Sequence, residues 1–589
     1  MTTNPPDVPL TDHTAHQTDL QREKARAFDS RLNAMSARLS AGLSPISAAT
    51  AWLEWGMTAA SQPAEVTRLL LDGQRQMVEG MSASLTSNSP PVDGFGHPKW
   101  QTWPWAPTVA SWQAARDWWQ QASQLQGMSP HAQEMVRFMG SQWLDMLSPA
   151  NAGLLNPEVL ERTREQRGQN LVDGARNAID EWRWEHGLPS RQSAQEGYRP
   201  GIEVACTPGK VVHRNRLAEL IQYLPTTERV DAQPVFIVPS WIMKYYILDL
   251  SPHNSMVKWL VSQGHTVFIL SWRNPDESDA ALGMADYLEH GVFDMLAAIA
   301  RLVPKESVHA CGYCLGGTLV SIAAAALSRP GKMSAAAPLA PLASVTLLAA
   351  ETDFSEPGEL GVLIDEPQVR LLEDMMAERG FLTGRQMGGS FAYLHSRDLV
   401  WSRRMHAFWL GESDQPNDLM AWNADVTRMP AAMHSEYLRR CYLHNELAQS
   451  RFPVQGRPVS LSDVKLPSFV VGTEKDHVSP WKSVYKIHLL SPAEITFVLT
   501  SGGHNAGIVS EPGHAHRHYA LHTRPAGGAW LEPGEWRRAA VRSEGSWWPA
   551  WSEWMRRQGD GQQVKARVPK AAEVLCDAPG ENVHVRYND

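Results

Sequence analysis

A short glycine-rich turn places the strongest constraint on how this chain can fold. Residues 307–311 (SVHAC) are typical of a buried strand, and residues 315–327 predict a helix of small residues. The turn between them, residues 312–317, reads GYCLGG. Glycines on both sides of Cys314 lack a Cβ, so the strand and the helix can approach closely. The pattern predicts a tight, strained strand–turn–helix unit that presents the Cys314 side chain.

The segments around this turn indicate a parallel sheet. Short apolar runs alternate with helical patterns from about residue 200 onward, which is typical of βαβ units. Residues 352–455, rich in methionine, tryptophan and acidic residues, interrupt the alternation and predict an inserted helical cap. We therefore expect an α/β-hydrolase fold with a mainly parallel sheet. Strands are predicted at 234–238, 266–271, 344–349, 468–472 and 495–500, and helices at 254–263 and 284–303.

The length of 589 residues indicates two or three structural units. Residues 1–45 are polar and predicted to be loosely ordered. Residues 46–195 show helical spacing of apolar residues and predict a mostly helical N-terminal domain. Residues 196–560 would form the catalytic domain, and residues 561–589 a C-terminal tail.

The composition excludes several classes of protein. Hydrophobic residues make up 43% and charged residues 20%, as in ordinary soluble domains. A net charge of -9 without a dense Lys/Arg run argues against a nucleic-acid partner. No apolar stretch resembles a signal peptide or a membrane-spanning helix, and five cysteines in so long a chain predict a cytoplasmic protein with reduced thiols. The 24 tryptophans fit either packed helix contacts or a surface that meets something apolar.

Cys314 occupies the place of the nucleophile in a strand–nucleophile–helix elbow. The N-terminus of the following helix favours a thiolate, and the N–H of Leu315 would supply half of an oxyanion hole. Two alternatives are a buried structural cysteine and a redox or metal pair formed with Cys311. The second is disfavoured because Cys311 falls within the predicted strand and no further ligand pair follows, so no metal site is predicted.

A cysteine nucleophile requires a base and a group that orients it. Asp476 follows the strand predicted at 468–472, and His504 follows the strand predicted at 495–500, in the chain order of a hydrolase triad. Both positions lie where parallel sheets place their sites. Alone, Asp476 is equally consistent with a turn or helix-capping residue, and His504 is one of 22 histidines. A second oxyanion donor is expected after the first parallel strand, from Trp241 or Ile242.

Several longer blocks, together with the turn, resemble the polyhydroxyalkanoate synthases, which polymerise 3-hydroxyacyl-CoA. The resemblance covers about residues 100–556, and the length is similar to the single-subunit type. Three positions beside the predicted site depart from the family pattern: Ser240, Met243 and Asn505. The matching blocks are residues 148–151, 156–158, 244–250 (KYYILDL), 264–268, 271–276, 476–477 with 480–481, 503–504 with 506–507, and 545–549 with 551.

The resemblance implies that Cys314, His504 and Asp476 polymerise (R)-3-hydroxyacyl-CoA through an acyl-cysteine, with release of CoA. It also implies that no cofactor beyond the CoA thioester substrate is needed, that the enzyme works at the surface of cytoplasmic polyester granules, and that it is a homodimer. A depolymerase or thioesterase on the same fold, or a non-catalytic granule protein, are the alternatives. The length of the substrate side chain stays open.

Overall fold

The structure is a computed structural model. It describes residues 12–40, 42–86, 94–185, 197–331, 333–384, 401–412 and 416–586, together with residues 92, 188 and 386. The predicted boundary between the helical domain and the catalytic domain, at residues 195–196, lies outside the described residues.

A helical region of about 180 residues precedes the sheet, in agreement with the expected helical N-terminal domain. Proline follows a capping Ser or Asn at the start of several of these helices, as at Ser44, Ser129 and Asn156, where the side chain accepts a backbone N–H. Trp119 packs against Gly140, where a Cβ would lie 2.0 Å from the indole. The helices are α1 (Asp12–Leu39), α2 (Pro45–Ser61), α3 (Pro63–Thr86), α4 (Trp105–Ala122), α5 (Pro130–Met146), α6 (Pro157–Glu165) and α7 (Gln169–Glu185).

The strands that follow build one large sheet and three two-stranded sheets. In chain order they are β1 (Gly209–Arg214), β2 (Ala218–Tyr223), β3 (Arg229–Asp231), β4 (Val235–Val238), β5 (Val267–Trp272), β6 (Val308–Tyr313), β7 (Leu342–Leu348), β8 (Phe381–Leu382), β9 (Met429–Pro430), β10 (Pro453–Val454), β11 (Arg457–Pro458), β12 (Ser468–Thr473), β13 (Ile495–Thr500), β14 (His518–Arg524), β15 (Val541–Glu544), β16 (Gln563–Lys565) and β17 (Cys576–Asp577).

The large sheet has the order β15-β14-β13-β12-β7-β6-β4-β5-β2-β1-β17. Its central strands, from β13 to β5, are all parallel, and the strands on both flanks are antiparallel. This arrangement confirms the predicted α/β-hydrolase fold and each predicted strand within two residues. In β4, Phe236 and Val238 face one core, whereas Val235 and Ile237 face the other. Burial on both faces explains why these strands are continuous apolar runs. The antiparallel flanks were not predicted.

Helices cover both faces of the parallel strands. They include α8 (Met256–Ser262), α9 (Met284–Asp286), α10 (Asp294–Leu302) and α11 (Leu315–Ser328), and the insertion between β7 and β12 contains α12 (Glu366–Met376). A π-helix at Tyr287–Phe293 joins α9 to α10, so the helix predicted at 284–303 is continuous. The described part of the insertion is mainly helical, and β8 and β9 form a short antiparallel pair within it.

The expectation that residues 1–45 are loosely ordered is wrong for the described part of that segment. Helix α1 covers most of it and packs along α12. Ser30 Oγ and Asn33 Nδ2 donate hydrogen bonds of 2.6 and 2.7 Å to the carboxylate of Asp374. The polar composition misled the prediction because these side chains find their partner in a helix more than 300 residues later.

The expected C-terminal tail is also wrong for its described part, since residues 561–586 are largely integrated into the fold. β17 extends the large sheet by pairing with β1, and β16 pairs with β3. The buried ammonium of Lys244 donates to the carbonyl oxygens of Asn582 and Val585 at 3.1 and 2.7 Å. Such short strands carry no periodic signal that a sequence could reveal.

Tryptophans lie both in the core and at the surface of the described structure. Trp241, Trp536 and Trp551 are among the fully buried side chains, whereas Trp103 and Trp143 are 75% and 58% exposed. Among the described helices, none has both the length and the apolar character needed to cross a bilayer.

Candidate active site

Cys314 lies at the bend between β6 and α11. Its backbone has φ 52° and ψ -125°, a region that non-glycine residues rarely occupy. The Cys314 N–H donates to Leu348 O at 2.8 Å, and the Cys314 carbonyl accepts the N–H of Gly317 at 2.8 Å. These bonds hold the strained turn, and such strain is characteristic of functional sites.

The glycines of the turn are required by close backbone packing. A Cβ on Gly316 would lie 2.1 Å from Val238 O, in the neighbouring strand β4. A Cβ on Gly312 would lie 2.3 Å from the Cα of Gly317. Because backbone atoms cannot move aside cheaply, only glycine lets β4, β6 and α11 meet here.

His504 and Asp476 meet in the structure. His504 Nδ1 and Asp476 Oδ2 are 2.8 Å apart, and the side chains are 14% and 0% exposed. Asp476 Oδ1 also accepts the backbone N–H groups of Val478 and Ser479, and Oδ2 accepts the Thr473 hydroxyl. The carboxylate is therefore fixed from several directions and can orient the imidazole.

The electrostatics couple these two residues to Cys314. Burial acts to raise the pKa of Asp476, but the charge and hydrogen bond of His504, with the N–H of Ser479, leave that pKa below its ordinary value. Burial acts to lower the pKa of His504, yet the charges of Cys314 and Asp476 and hydrogen bonds to both raise it well above its usual range. Because Nδ1 faces Asp476, Nε2 is the nitrogen available to the thiol. The structure thus brings together the three residues predicted as a triad.

Two of the three residues predicted to supply oxyanion donors, Leu315 and Ile242, line the same cavity as Cys314. The Ile242 N–H has only a long contact, 3.4 Å, to Ser240 Oγ. The Trp241 side chain instead packs between Tyr287 and Tyr437 in the core.

Each of the three family departures makes a local contact. Ser240 supplies the contact to the Ile242 N–H, and Met243 forms a bridge with Val426 in the insertion. Asn505 Oδ1 accepts the hydroxyl of the buried Tyr313 at 2.5 Å. The Tyr313 ring lies against His504, with ring centroids 5.8 Å apart.

We expect Asn505→Leu to destabilise the fold by about 1–3 kcal/mol, because it leaves the buried Tyr313 hydroxyl without its acceptor. Urea unfolding measures the loss. Tyr313→Phe in the same background should restore most of it, since both polar partners are then removed. Equal destabilisation in the single and double variants would contradict a role for the hydrogen bond.

A cavity of about 100 Å³ opens beside Cys314. One water needs roughly 10–15 Å³ on this measure, so there is room for several waters or a short acyl chain. The walls are mostly apolar and come from three parts of the chain: the strand ends, the insertion and the N-terminal region. They include Leu43, Leu315, Glu351, Phe354, Leu382 and Tyr442.

Two parts of this wall were missed in the sequence. Glu351 follows β7 at the same edge of the sheet as Asp476 and His504, so its position after a predicted strand could have indicated it. Gly42 and Leu43 reach the cavity only through tertiary packing, and no local pattern marks them.

The alternative of a paired C-x-x-C site finds no geometric support. Cys311 is fully buried within β6, burial raises the pKa of its thiol, and both Cys311 and Cys314 are free. Within the described part of the chain, no three metal-ligating side chains cluster.

The elbow, the parallel sheet and the residues at its carboxyl edge define an α/β-hydrolase-fold protein, and residues 233–511 match the family model described as alpha/beta hydrolase fold. Residues 93–260 match the model for the poly-beta-hydroxybutyrate polymerase (PhaC) N-terminus, and residues 23–64 match poly-beta-hydroxybutyrate polymerase N terminal.

Two curated relatives extend this likeness over most of the chain. The poly(3-hydroxyalkanoate) polymerase of Methylorubrum extorquens is 36% identical over 513 residues, covering 86% of this chain and 83% of the relative. The poly(3-hydroxyalkanoate) polymerase subunit PhaC of Cupriavidus necator is 36% identical, covering 73% of this chain and 72% of the relative. The chain belongs to the poly(3-hydroxyalkanoate) polymerase family.

Proposed function

We propose that this protein is an acyltransferase that polymerises (R)-3-hydroxyacyl-CoA into polyhydroxyalkanoate and releases CoA through an acyl-Cys314 intermediate. The observation that carries the proposal is the strained Cys314, coupled to a His504 that Asp476 holds at 2.8 Å. The names of the relatives supply the substrate class.

The first step is acylation of Cys314. His504 accepts the thiol proton, and the thiolate attacks the thioester carbonyl carbon. A new carbon–sulfur bond forms, the bond to CoA breaks, and His504 returns the proton to the departing CoA sulfur. The N–H groups of Leu315 and Ile242, or alternatively Trp241, would stabilise the oxyanion. The acyl group arrives already activated as its CoA thioester, so we propose no cofactor beyond that substrate.

The second step extends the chain. The 3-hydroxyl of another hydroxyacyl-CoA attacks acyl-Cys314, an ester bond forms, and the bond to the Cys314 sulfur breaks. His504, oriented by Asp476, takes the hydroxyl proton and passes it to the leaving sulfur. The extended chain remains a CoA thioester and returns to Cys314 by the first reaction.

A cysteine suits this cycle better than a serine. Exchange of one thioester for another is nearly isoenergetic. The acyl group on Cys314 therefore stays activated, and this activation drives formation of the ester bond in the second step. That activation is lost if water enters. The apolar walls contributed by the insertion and the N-terminal region support exclusion of water from the cavity.

The insoluble product places the enzyme, in this proposal, at the surface of cytoplasmic polyester granules, and the resemblance implies a homodimer. Sedimentation of the protein without polymer tests the homodimer, and sedimentation with polymer tests binding to the granule surface.

We expect 3-hydroxybutyryl-CoA to be converted to free CoA and insoluble polyester. Gas chromatography of the methanolysed pellet measures the polymer, and chromatography of the supernatant measures CoA and 3-hydroxybutyrate. Soluble 3-hydroxybutyrate formed in step with CoA, without polymer, would show a thioesterase instead. Neither CoA nor polymer would show a non-catalytic protein.

A further inference from the structure

Glu351 is a buried polar residue in the cavity wall that the proposed mechanism does not use. It follows β7, lines the cavity together with Cys314, and is 4% exposed. Its backbone carbonyl accepts the Thr318 hydroxyl at 2.8 Å, which ties it to α11. Its Oε1 has no hydrogen-bond partner among the residues that the structure describes.

An unpaired carboxyl in an apolar wall is costly unless something fills its hydrogen-bonding capacity. Burial, together with the charges of Asp476 and Cys314, raises the pKa of Glu351 well above its ordinary value. This shift favours the protonated carboxylic acid, a form that both donates and accepts a hydrogen bond.

His434 Nδ1 is another unpartnered polar atom of the same wall. Burial alone lowers the pKa of His434 to about 4, with no contribution from the site charges. Glu351, by contrast, interacts with the charges of Cys314, Asp476 and His504. Of these two cavity-wall groups, Glu351 is thus the one that interacts with the charges of the reacting residues.

We propose that the Glu351 side chain hydrogen-bonds the 3-hydroxyl of the acyl unit bound next to Cys314 and makes the site select hydroxyacyl over unsubstituted acyl thioesters. The inference rests on the proposed function and adds a specificity-determining residue to it. An acyl chain without the hydroxyl would leave the carboxyl desolvated and unpaired. Leaving such a group unsatisfied reduces the rate by about 10-fold to 100-fold.

The test is first-turnover CoA release from 3-hydroxybutyryl-CoA and from butyryl-CoA, measured by rapid quench on the full-length protein. The wild type should favour the hydroxyacyl substrate by about 10-fold to 100-fold. Glu351→Met, of similar length but apolar, should bring the ratio of the two rates close to one. Glu351→Gln, which can still donate and accept, should keep most of the preference.

Two further variants separate selectivity from folding. Glu535→Met, the same exchange at an exposed residue outside the cavity wall, should leave the ratio unchanged. If Glu351→Met does not fold, Glu351→Asp is decisive, because withdrawing the carboxyl by one methylene should also lower the ratio. An unchanged ratio in the folded Met or Asp variant overturns the assignment of Glu351 while leaving the polymerase proposal standing. Absence of CoA release from either substrate in the wild type overturns both.

Discussion

Cys314→Ala should abolish polymer formation and reduce CoA release by about 10⁴-fold or more while the protein stays folded. The sulfur is the only protein atom in the proposed cycle that becomes covalently bonded to the acyl group, so its removal leaves no nucleophile to accept that group from CoA. Cys314→Ser should also lose several orders of magnitude, since an alcohol is a weaker nucleophile and its ester discards acyl activation.

CoA release measures the loss of activity, and circular dichroism measures whether the variant stays folded. Cys206→Ala is the matched control, because Cys206 is also a free, half-buried cysteine but is not among the residues that line the cavity. Wild-type CoA release from the folded Cys314→Ala variant would contradict the nucleophile assignment.

Asp476→Asn should lower kcat/KM by about 10³-fold to 10⁴-fold, because the amide favours the wrong His504 tautomer. The carboxylate accepts bonds from His504, Thr473 and two backbone N–H groups, and an NH₂ group would face one of these donors. Steady-state kinetics measures the loss, and Asp463→Asn, outside the cavity wall, is the matched control.

His504→Ala should lower kcat/KM at least as much as Asp476→Asn does. The double variant should be no worse than His504→Ala alone, since Asp476 acts through the imidazole. Effects that multiply would show that Asp476 works independently of His504.

The pKa shift of Asp476 also sets the sign of a pH effect. The pKa of Asp476 in the folded protein lies below its ordinary value. The interactions of the carboxylate therefore stabilise the fold at pH values above the ordinary pKa, and this stabilisation is lost as the pH falls through the folded pKa. Asp476→Asn should therefore flatten the acid side of the stability profile.

The sequence alone determined the features that depend on neighbouring residues. The elbow at Cys314 combines an apolar run, a glycine-rich turn and a helix of small residues, and all three signals are local. Asp476 and His504 could be selected because each follows a strand that its own apolar run predicts, and parallel strands bring their carboxyl ends to one edge.

Tertiary structure alone decided the features that join distant segments. Helix α1 is anchored by Asp374, β17 pairs with β1, Asn505 accepts the Tyr313 hydroxyl, and Leu43 and Glu351 meet in one cavity. These contacts depend on which surfaces face each other after the layers pack. Hydrophobic periodicity indicates which face of a helix or strand is buried, but it does not indicate which distant segment packs against that face.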